Sequence, residues 1–386
     1  MKLLAIGLDV VAIGLGIMAV VYTMHAQTRS EAQPWMDVEF PRDSPVLAVS
    51  TAFGPSAVHP RGASMAIDLH ASLLLRNTGN KTISGLTLRI EAQDLTPSGK
   101  ASVTVPSLAV PPGEVFPVRV DAQLVRPFSV GRAEGALVQV SLDCALFGDL
   151  TAYGPDKLNS RRALMVYELE ARRDRRYMAT LLKDKDWARV REELDFGLQD
   201  LHPQQIGLEL LHDPRANTWR EQAVNVAAVT FPKAPVQPLS GAARVAGNEV
   251  HAPAIQIKNM SQKTVQIVDM GWIVLDDRGR EFIAGSIPAA LNLAPVAIGT
   301  MTEGGTLRFS HPEGSPMMIG ALKAFVSDVE FADGKLWIPS RTDIDEATTD
   351  PLLRRALATS PEQQRLAEIY RRKGITGLVE ELRKLN

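Results

Sequence analysis

Apolar and polar residues alternate in two separate regions of the chain, and this pattern predicts β-strands in both. A period of two is typical of a strand that buries one face. The alternating apolar residues are Leu86, Leu88, Ile90 and Ala92 in the first region, and Val268, Met270, Trp272 and Val274 in the second. In the second region, Ile273 and Leu275 make the opposite face apolar as well. We therefore expect this strand to be covered on both faces. Trp272 should lie in a core, and Leu275 should meet a helix or the neighbouring domain.

A related stretch precedes both strands, at residues 73–83 and again at residues 255–265. Each copy has an apolar strand ending in a basic residue and Asn, then a turn, and then Lys-Thr with a β-branched residue. The asparagines, Asn77 and Asn259, lie 182 positions apart (259 − 77). Asparagine tolerates the left-handed backbone of tight turns and can bond its own backbone two residues on. The stretch therefore predicts a strand, a tight turn and a second strand in each region.

Two more pairs of segments keep nearly this spacing. Phe147 and Phe331 each begin a short turn segment with Asp two residues later, and they lie 184 positions apart (331 − 147). Phe53 and Phe231 anchor a looser pair, 178 positions apart (231 − 53). Because three pairs occur in the same order with a nearly constant offset, the sequence predicts a duplicated β domain.

The chain is predicted to be mainly β with helical segments: two immunoglobulin-like β-sandwich domains joined by a helical linker, with helices at the C-terminus. Many short strands separated by turn residues favour a sandwich of the immunoglobulin type. The predicted segments are a signal peptide or signal anchor (1–32), an extended tether (33–45), sandwich domain 1 (46–153), a helical linker block (159–215), sandwich domain 2 (223–340) and C-terminal helices (349–386).

The N-terminus predicts export from the cytoplasm. Lys2 is followed by an apolar run from Leu3 to about Met24, which is about long enough to span a bilayer. Two interpretations remain open. A signal peptide would be cut near Ala32, whereas a signal anchor would stay in the inner membrane. Both place the rest of the chain in the periplasm or outside the cell.

The helical block carries a cluster of arginines after Asn159, where the period changes to that of a helix. The cluster consists of Arg161, Arg162, Arg172, Arg173, Arg175 and Arg176. One hypothesis is that it binds phosphate or an acidic partner. Because Glu168, Glu170 and Asp174 are interleaved with the arginines, we favour a solvated helix with internal ion pairs.

Composition narrows the possible partners and chemistry. Among 386 residues the net charge is −2, which gives no reason to expect nucleic acid as a partner. Cys144 is the only cysteine, so an internal disulfide is impossible, and we expect a small buried hydrophobe there.

No catalytic, cofactor-binding or metal-binding residue is predicted. The seven histidines lack zinc-site spacing, and the acidic group Asp343, Asp345 and Glu346 lacks the spacing of a calcium loop, so a linker before a helix is the simpler interpretation. Asn80 and Asn259 begin short sequences that match the glycosylation signal.

The repeated stretch around Asn77 resembles the strand-turn-strand of bacterial immunoglobulin-like envelope domains of the cell-adhesion-related type. The resemblance covers about a dozen residues in each copy and implies a β-sandwich used for adhesion, spacing or docking. It carries no catalytic residues.

We therefore expect an exported cell-envelope protein that acts as a non-enzymatic structural or protein-interaction module. Its partner would be another envelope protein, with membrane contact through the N-terminal segment if that segment is uncleaved. The loop residues Pro316, Met317 and Met318 are the predicted contact, because adjacent methionines suit an adaptable surface. The alternative is an envelope hydrolase whose site is assembled from dispersed residues between the domains.

Overall fold

A computed structural model describes residues 36–62, 64–92, 100–127, 138–198, 205–212 and 219–384. The predicted signal peptide or anchor therefore lies outside the described residues. Within the described ranges, no helix is both long enough and apolar enough to cross a membrane.

The first β unit consists of two sheets packed around one apolar core. Its strands are β1 (Met36–Glu39), β2 (Val46–Phe53), β3 (Ala57–Arg61), β4 (Ser64–Asn77), β5 (Ile83–Ala92), β6 (Lys100–Val105), β7 (Val115–Pro127), β8 (Val138–Phe147) and β9 (Ala152–Tyr153). One sheet has the order β1-β8-β5-β6, with β9 also on β8. In the other, β4 pairs with β2, β3 and β7. Leu73 from β4 and Leu88 from β5 are both fully buried, so the alternating face predicted from the sequence forms this core.

The second β unit is one sheet that closes on itself. Its strands are β10 (Gln205–Leu211), β11 (Gln222–Val229), β12 (Val236–Ala246), β13 (Glu249–Asn259), β14 (Val265–Leu275), β15 (Glu281–Leu293), β16 (Ile298–Thr302), β17 (Thr306–Ser310), β18 (Ala321–Phe331) and β19 (Leu336–Trp337). Eight of them follow the order β11-β12-β13-β17-β10-β15-β14-β18, and β11 pairs with β18 to complete an eight-stranded barrel.

The structure confirms a mainly β chain with C-terminal helices, and it changes three details. The second unit is a barrel instead of two separate sheets, because the parallel pairs β10–β15 and β11–β18 close the ring. The strand Gln205–Leu211 lies inside the segment expected to be a helical linker, and Met36–Glu39 lies inside the expected tether. Both short strands exist because their backbones form hydrogen bonds with distant strands, which a local pattern does not reveal.

Five helices complete the described fold: α1 (Ser160–Lys183), α2 (Trp187–Gly197), α3 (Arg341–Ala347), α4 (Pro351–Ala358) and α5 (Pro361–Lys384). Asp186 caps α2 by accepting a hydrogen bond from the Arg189 backbone N–H. Gly374, at φ 64°, interrupts α5, because glycine adopts this left-handed backbone without steric cost. Helices α1, α2 and α5 share a small apolar core that includes Met178, Leu194 and Leu378.

Strand β14 is covered on both faces, as expected. Trp272 and Met270 are buried in the barrel core. On the opposite face, Ile273 and the partly buried Leu275 pack in a second cluster with Ile344 of α3 and with residues of α4. The helices that follow the barrel therefore cover the outer side of this strand.

The two asparagines of the repeat make matching contacts in the two units, and both are completely buried. In Asn77, Nδ2 donates to the carbonyl oxygen of Lys81 at 2.9 Å, and Oδ1 accepts from the backbone N–H of Gly79 at 3.0 Å. In Asn259, the same atoms bond the carbonyl oxygen of Lys263 at 2.8 Å and the backbone N–H of Ser261 at 2.9 Å.

The second predicted pair of segments also corresponds in space. Lys81 Nζ lies 2.7 Å from Asp149 Oδ2, and Lys263 Nζ lies 2.7 Å from Asp333 Oδ2. Each lysine also lies over the phenylalanine that begins the matching turn segment. The ladders β5–β8 and β14–β18 contain bulges at equivalent positions.

The predicted correspondence between the segments of Phe53 and Phe231 is wrong. Val46 lies opposite Asn77, and Val236 lies opposite Asn259, so β2 corresponds to β12. Phe231 precedes β12 and is buried, whereas Phe53 is 49% exposed at the end of β2. The similarity between their segments therefore does not reflect equivalent positions.

Candidate functional site

Helix α1 lies between the two β units and contacts both. Leu164 and Met165 pack against Cys144 and Leu146 of β8. Gly85 of β5 permits this close approach, because a Cβ atom there would lie 2.8 Å from a methyl group of Leu164. One face of the helix is therefore fixed to the first unit through apolar contacts.

The neighbouring face of α1 binds the barrel through charges. Arg162 NH1 lies 2.6 Å from Asp269 Oδ2, its NH2 contacts Asp328, and its Nε lies 3.2 Å from Glu330 Oε2. Arg161 NH2 lies 3.7 Å from the other oxygen of Glu330. Asp269 and Asp328 face each other across β14 and β18, and the three carboxylates are at least nine-tenths buried. We call these five residues the Arg162 cluster.

The Arg162 cluster has more negative than positive groups. Burial and the neighbouring carboxylate of Asp269 raise the pKa of Asp328 well above its usual range, although Arg162 opposes the shift. Two arginines face three carboxylates, so one proton on the Asp269–Asp328 pair makes the cluster neutral. Such neutralisation is the expected response of like charges held in a site with little water.

A second buried cluster attaches α1 to the C-terminal helices. Asp174 Oδ1 lies 2.9 Å from Nε of Arg173 and 2.9 Å from Nε of Arg341, while Ser360 Oγ donates to Asp174 Oδ2 at 2.5 Å. Burial acts to raise the pKa of Asp174, but the two guanidinium groups hold it below its usual range. Burial raises the pKa of the nearby Glu170 to about 7.

A third cluster of charged side chains also involves residues of α1. Glu168 Oε1 accepts from Arg172 Nε at 2.9 Å and from Arg175 NH2 at 2.9 Å. Arg175 NH1 lies 3.9 Å from Glu362, which is fully buried at the start of α5. The helix therefore carries ion pairs along most of its length.

These contacts correct the expectation of a solvated arginine helix. Internal ion pairs are present, as predicted, but Arg173 and Arg175 are buried and Arg162 is only 14% exposed. The reason is tertiary: β units and helices surround α1, so faces that would be solvated in an isolated helix are covered. Only part of the arginine set remains on the surface.

The predicted contact loop divides between core and surface. Met317 is 1% exposed, lies in the barrel core and donates its backbone N–H to Phe309. Met318 is 38% exposed, and Pro316 is also exposed. Met317 therefore has a packing role, whereas a partner contact at Pro316 and Met318 stays a prediction.

Several other residues singled out in the sequence have defined places. Cys144 is buried as expected, and burial raises the pKa of its thiol to about 12. Asp343 belongs to α3 and caps it together with Ser340, so the acidic group is helical and not a linker. The side-chain amide of Asn259 is buried and donates to three backbone carbonyl oxygens, so it cannot serve as a glycosylation acceptor. His70 pairs with Asp121 on the surface at 2.7 Å.

Sequence reasoning missed Asp269 and Asp328, the acidic pair under α1. Both are acidic residues within strands that are otherwise strongly apolar, and this feature of the sequence could have identified them. In the first β unit the equivalent ladder positions hold Thr87 and Cys144, which face each other in the same register. The second copy therefore has an acidic pair where the first has uncharged residues.

The chain matches no model of a known protein family and no curated protein. A function must therefore be inferred from the arrangement of its own residues. That arrangement consists of two β units held on α1 by apolar packing and by the Arg162 cluster. Two further buried charge clusters attach the same helix to the C-terminal helices.

Proposed function

We propose that this protein is an exported cell-envelope module with a structural or protein-interaction role and no catalytic activity of its own. The observation that carries the proposal is the position of α1, which binds the first β unit through Leu164 and the barrel through Arg162. A helix held in this way keeps two β units at a fixed separation. Such a body suits spacing or docking between other components.

The charged residues of the interface support this role over the hydrolase alternative. Catalytic carboxylates need a cavity that a substrate can enter. Here Arg162 contacts both Asp269 and Asp328, and Asp328 is only 2% exposed. An activity screen against hydrolase substrates distinguishes the two functions. Turnover by the wild type that disappears in an Asp328→Asn variant would favour the hydrolase.

We also propose that both β units are copies of one immunoglobulin-like ancestor. The equivalent contacts of Asn77 and Asn259, and of Lys81 and Lys263, support this view. In the second copy, extra strand pairing would then have closed the sheets into a barrel.

The partner is proposed to be another envelope protein that contacts the loop around Met318. Crosslinking the full-length protein in intact cells and recovering it under denaturing conditions would identify the partner. A Met318→Ser change should reduce its recovery without altering thermal stability. Met260→Ser is the matched control, because Met260 is an exposed methionine in another turn of the same unit. Equal recovery from the two variants would reject the loop as the contact.

Export is tested separately by fusing residues 1–45 to a reporter that is active only outside the cytoplasm. An active fusion is expected, since the apolar run follows Lys2. Measuring the N-terminus of the mature protein then distinguishes a cleaved signal from an inner-membrane anchor. A stable but inactive fusion would contradict export.

A further inference from the structure

A cleft of about 570 Å³ opens between the first β unit, the middle of α1 and the end of α5. Ligand-binding clefts typically have volumes of about 300–1,000 Å³, so this one is large enough for a small organic molecule. Its lining includes the side chains of Ser84, Glu168, Arg172, Arg175, Arg176 and Lys384.

The lining of this cleft is strongly cationic. Three arginines and one lysine face a single carboxylate, that of Glu168. Lys384 is 71% exposed and lies 3.8 Å from Glu381, and Arg176 is also exposed. Arg176 Nε donates to the backbone oxygen of Arg172, and its terminal nitrogens have no acceptor among the described residues. These groups are therefore available to an anion.

The deeper arginines are fixed in advance. Glu168 Oε1 holds both Arg172 and Arg175, and Arg172 NH2 also donates to the carbonyl oxygen of Gly148 at 2.5 Å. Arginines positioned by other contacts lose little side-chain freedom when a ligand binds. Their planar guanidinium groups suit the oxygen atoms of a phosphate or a carboxylate.

One residue that lines the cleft has a polar atom without a partner. Glu168 is 4% exposed, and its Oε2 has no hydrogen-bond donor in the described part of the chain. A buried carboxylate oxygen without a donor is energetically costly. A hydroxyl group on the ligand would supply the missing donor, and the hydroxyl of Ser84 lines the same space.

We propose that this cleft binds a phosphate ester that also carries a hydroxyl group. The phosphate interacts with Arg172, Arg176 and Lys384, and the hydroxyl donates to Glu168 Oε2. Phosphate is favoured over carboxylate because several cations surround one space, and a phosphate ester offers more acceptor oxygens. This chemistry occurs both in soluble polyol phosphates and in the head group of an anionic phospholipid.

The test measures binding of glycerol 3-phosphate to the purified full-length protein by calorimetry, and binding of the protein to vesicles by sedimentation. The vesicles are phosphatidylglycerol in phosphatidylcholine, compared with phosphatidylcholine alone. The test variant combines Arg176→Gln with Lys384→Gln. Its control combines Arg371→Gln with Arg372→Gln, which removes two exposed cations of α5 that do not line the cleft.

We expect the test variant to bind about tenfold more weakly or worse, because it loses two charge-assisted contacts, and we expect the control to bind like the wild type. Binding of glycerol 3-phosphate alone supports a soluble ligand, and cleft-dependent binding of anionic vesicles alone supports a lipid head group. Absence of both kinds of binding, or equal losses in test and control variants, overturns the proposal.

A Glu168→Gln variant tests the hydroxyl contact. The wild type should prefer glycerol 3-phosphate to inorganic phosphate. The variant should lose this preference, because its amide oxygen stays with Arg172 and Arg175 while its NH2 group, a donor, replaces the acceptor Oε2. Circular dichroism checks that the variant is folded. If the folded variant keeps the wild-type preference, the contact between Glu168 and the hydroxyl is rejected.

Discussion

Asn77 and Asn259 perform the same structural task in the two β units: each supplies a turn with hydrogen bonds that the backbone cannot make for itself. The Asn77 amide also donates to the carbonyl oxygen of Val110 at 2.9 Å, and that of Asn259 donates to the carbonyl oxygens of Leu293 and Ala294. Each asparagine therefore ties its turn to a segment about thirty positions later in the chain.

An Asn259→Ala change should destabilise the protein by about 1–3 kcal/mol, because it leaves buried carbonyl groups without a donor. Urea unfolding followed by circular dichroism measures the loss. Asn80→Ala is the control, since Asn80 is exposed in the equivalent turn of the first unit. A loss at Asn259 no larger than at Asn80 would show that the turn does not depend on the buried amide.

The raised pKa values of two buried carboxyl groups predict that the stability of the protein depends on pH. Burial and the adjacent Asp269 raise the pKa of Asp328 from 3.8 to about 8, so the folded protein retains a proton that the unfolded chain has lost. The free energy of unfolding should therefore fall as pH rises from the unfolded to the folded pKa, by at most about 1.4 kcal/mol per pH unit. The raised pKa of Glu170 acts in the same direction.

In an Asp328→Asn variant the free energy of unfolding should depend less on pH, because asparagine resembles the protonated carboxyl group. Urea unfolding at about pH 5.5 and about pH 8 measures it, with the residual dependence assigned to the other buried carboxyl groups of raised pKa, Glu170 and Glu193. Asp277→Asn serves as an exposed control in a hairpin turn. If Asp328→Asn and wild type lose the same stability over this range, the proton is not held at the acidic pair.

At the scale of elements, α1 and β14 are both covered on more than one side, and in each case the cover comes from distant segments. For β14 the outer cover is α3 and α4, which pack on Ile273 and Leu275. For α1 it is the barrel on one side and α5 on another. The two elements therefore connect the β units with the C-terminal helices.

A Leu275→Asp change should destabilise the protein by about 1–3 kcal/mol, since it places an unpaired charge against the helices that cover β14. Chemical denaturation measures the effect. Leu239→Asp is the matched control, because Leu239 is 45% exposed on β12. A neutral result at Leu275 would mean that α3 and α4 do not cover this face in solution.

At the scale of the whole molecule, the contacts of α1 predict that the two β units unfold together. Cys144 is buried in the first unit, so its reaction with a thiol reagent reports the opening of that unit. Tryptophan fluorescence reports mainly the barrel and the helices, through Trp272 and Trp337. In the wild type both signals should change at the same denaturant concentration.

In an Arg162→Met variant the two β units should unfold in separate transitions. The barrel should unfold at a lower denaturant concentration than the first β unit. The change leaves Asp269, Asp328 and Glu330 buried without their main cation, and breaking a buried pair costs about 3–5 kcal/mol. Arg161→Met is the control, because Arg161 is 48% exposed and makes one long contact. Separate transitions already present in the wild type would contradict a single cooperative body.

The sequence by itself determined the local features of this protein. The alternation around Trp272 and the turns after Asn77 and Asn259 were predicted correctly. Each of these depends on residues within a few positions of one another, so the pattern contains the physical cause.

Only the tertiary structure decided how these pieces are combined. The barrel closes because β10 and β11 form parallel pairs with strands far along the chain. Arg162 is bound by carboxylates more than one hundred positions away, and Met317 lies in a core formed by many strands. Whether a side chain is solvated or buried depends on which distant surface covers it, and local periodicity carries no information about that surface.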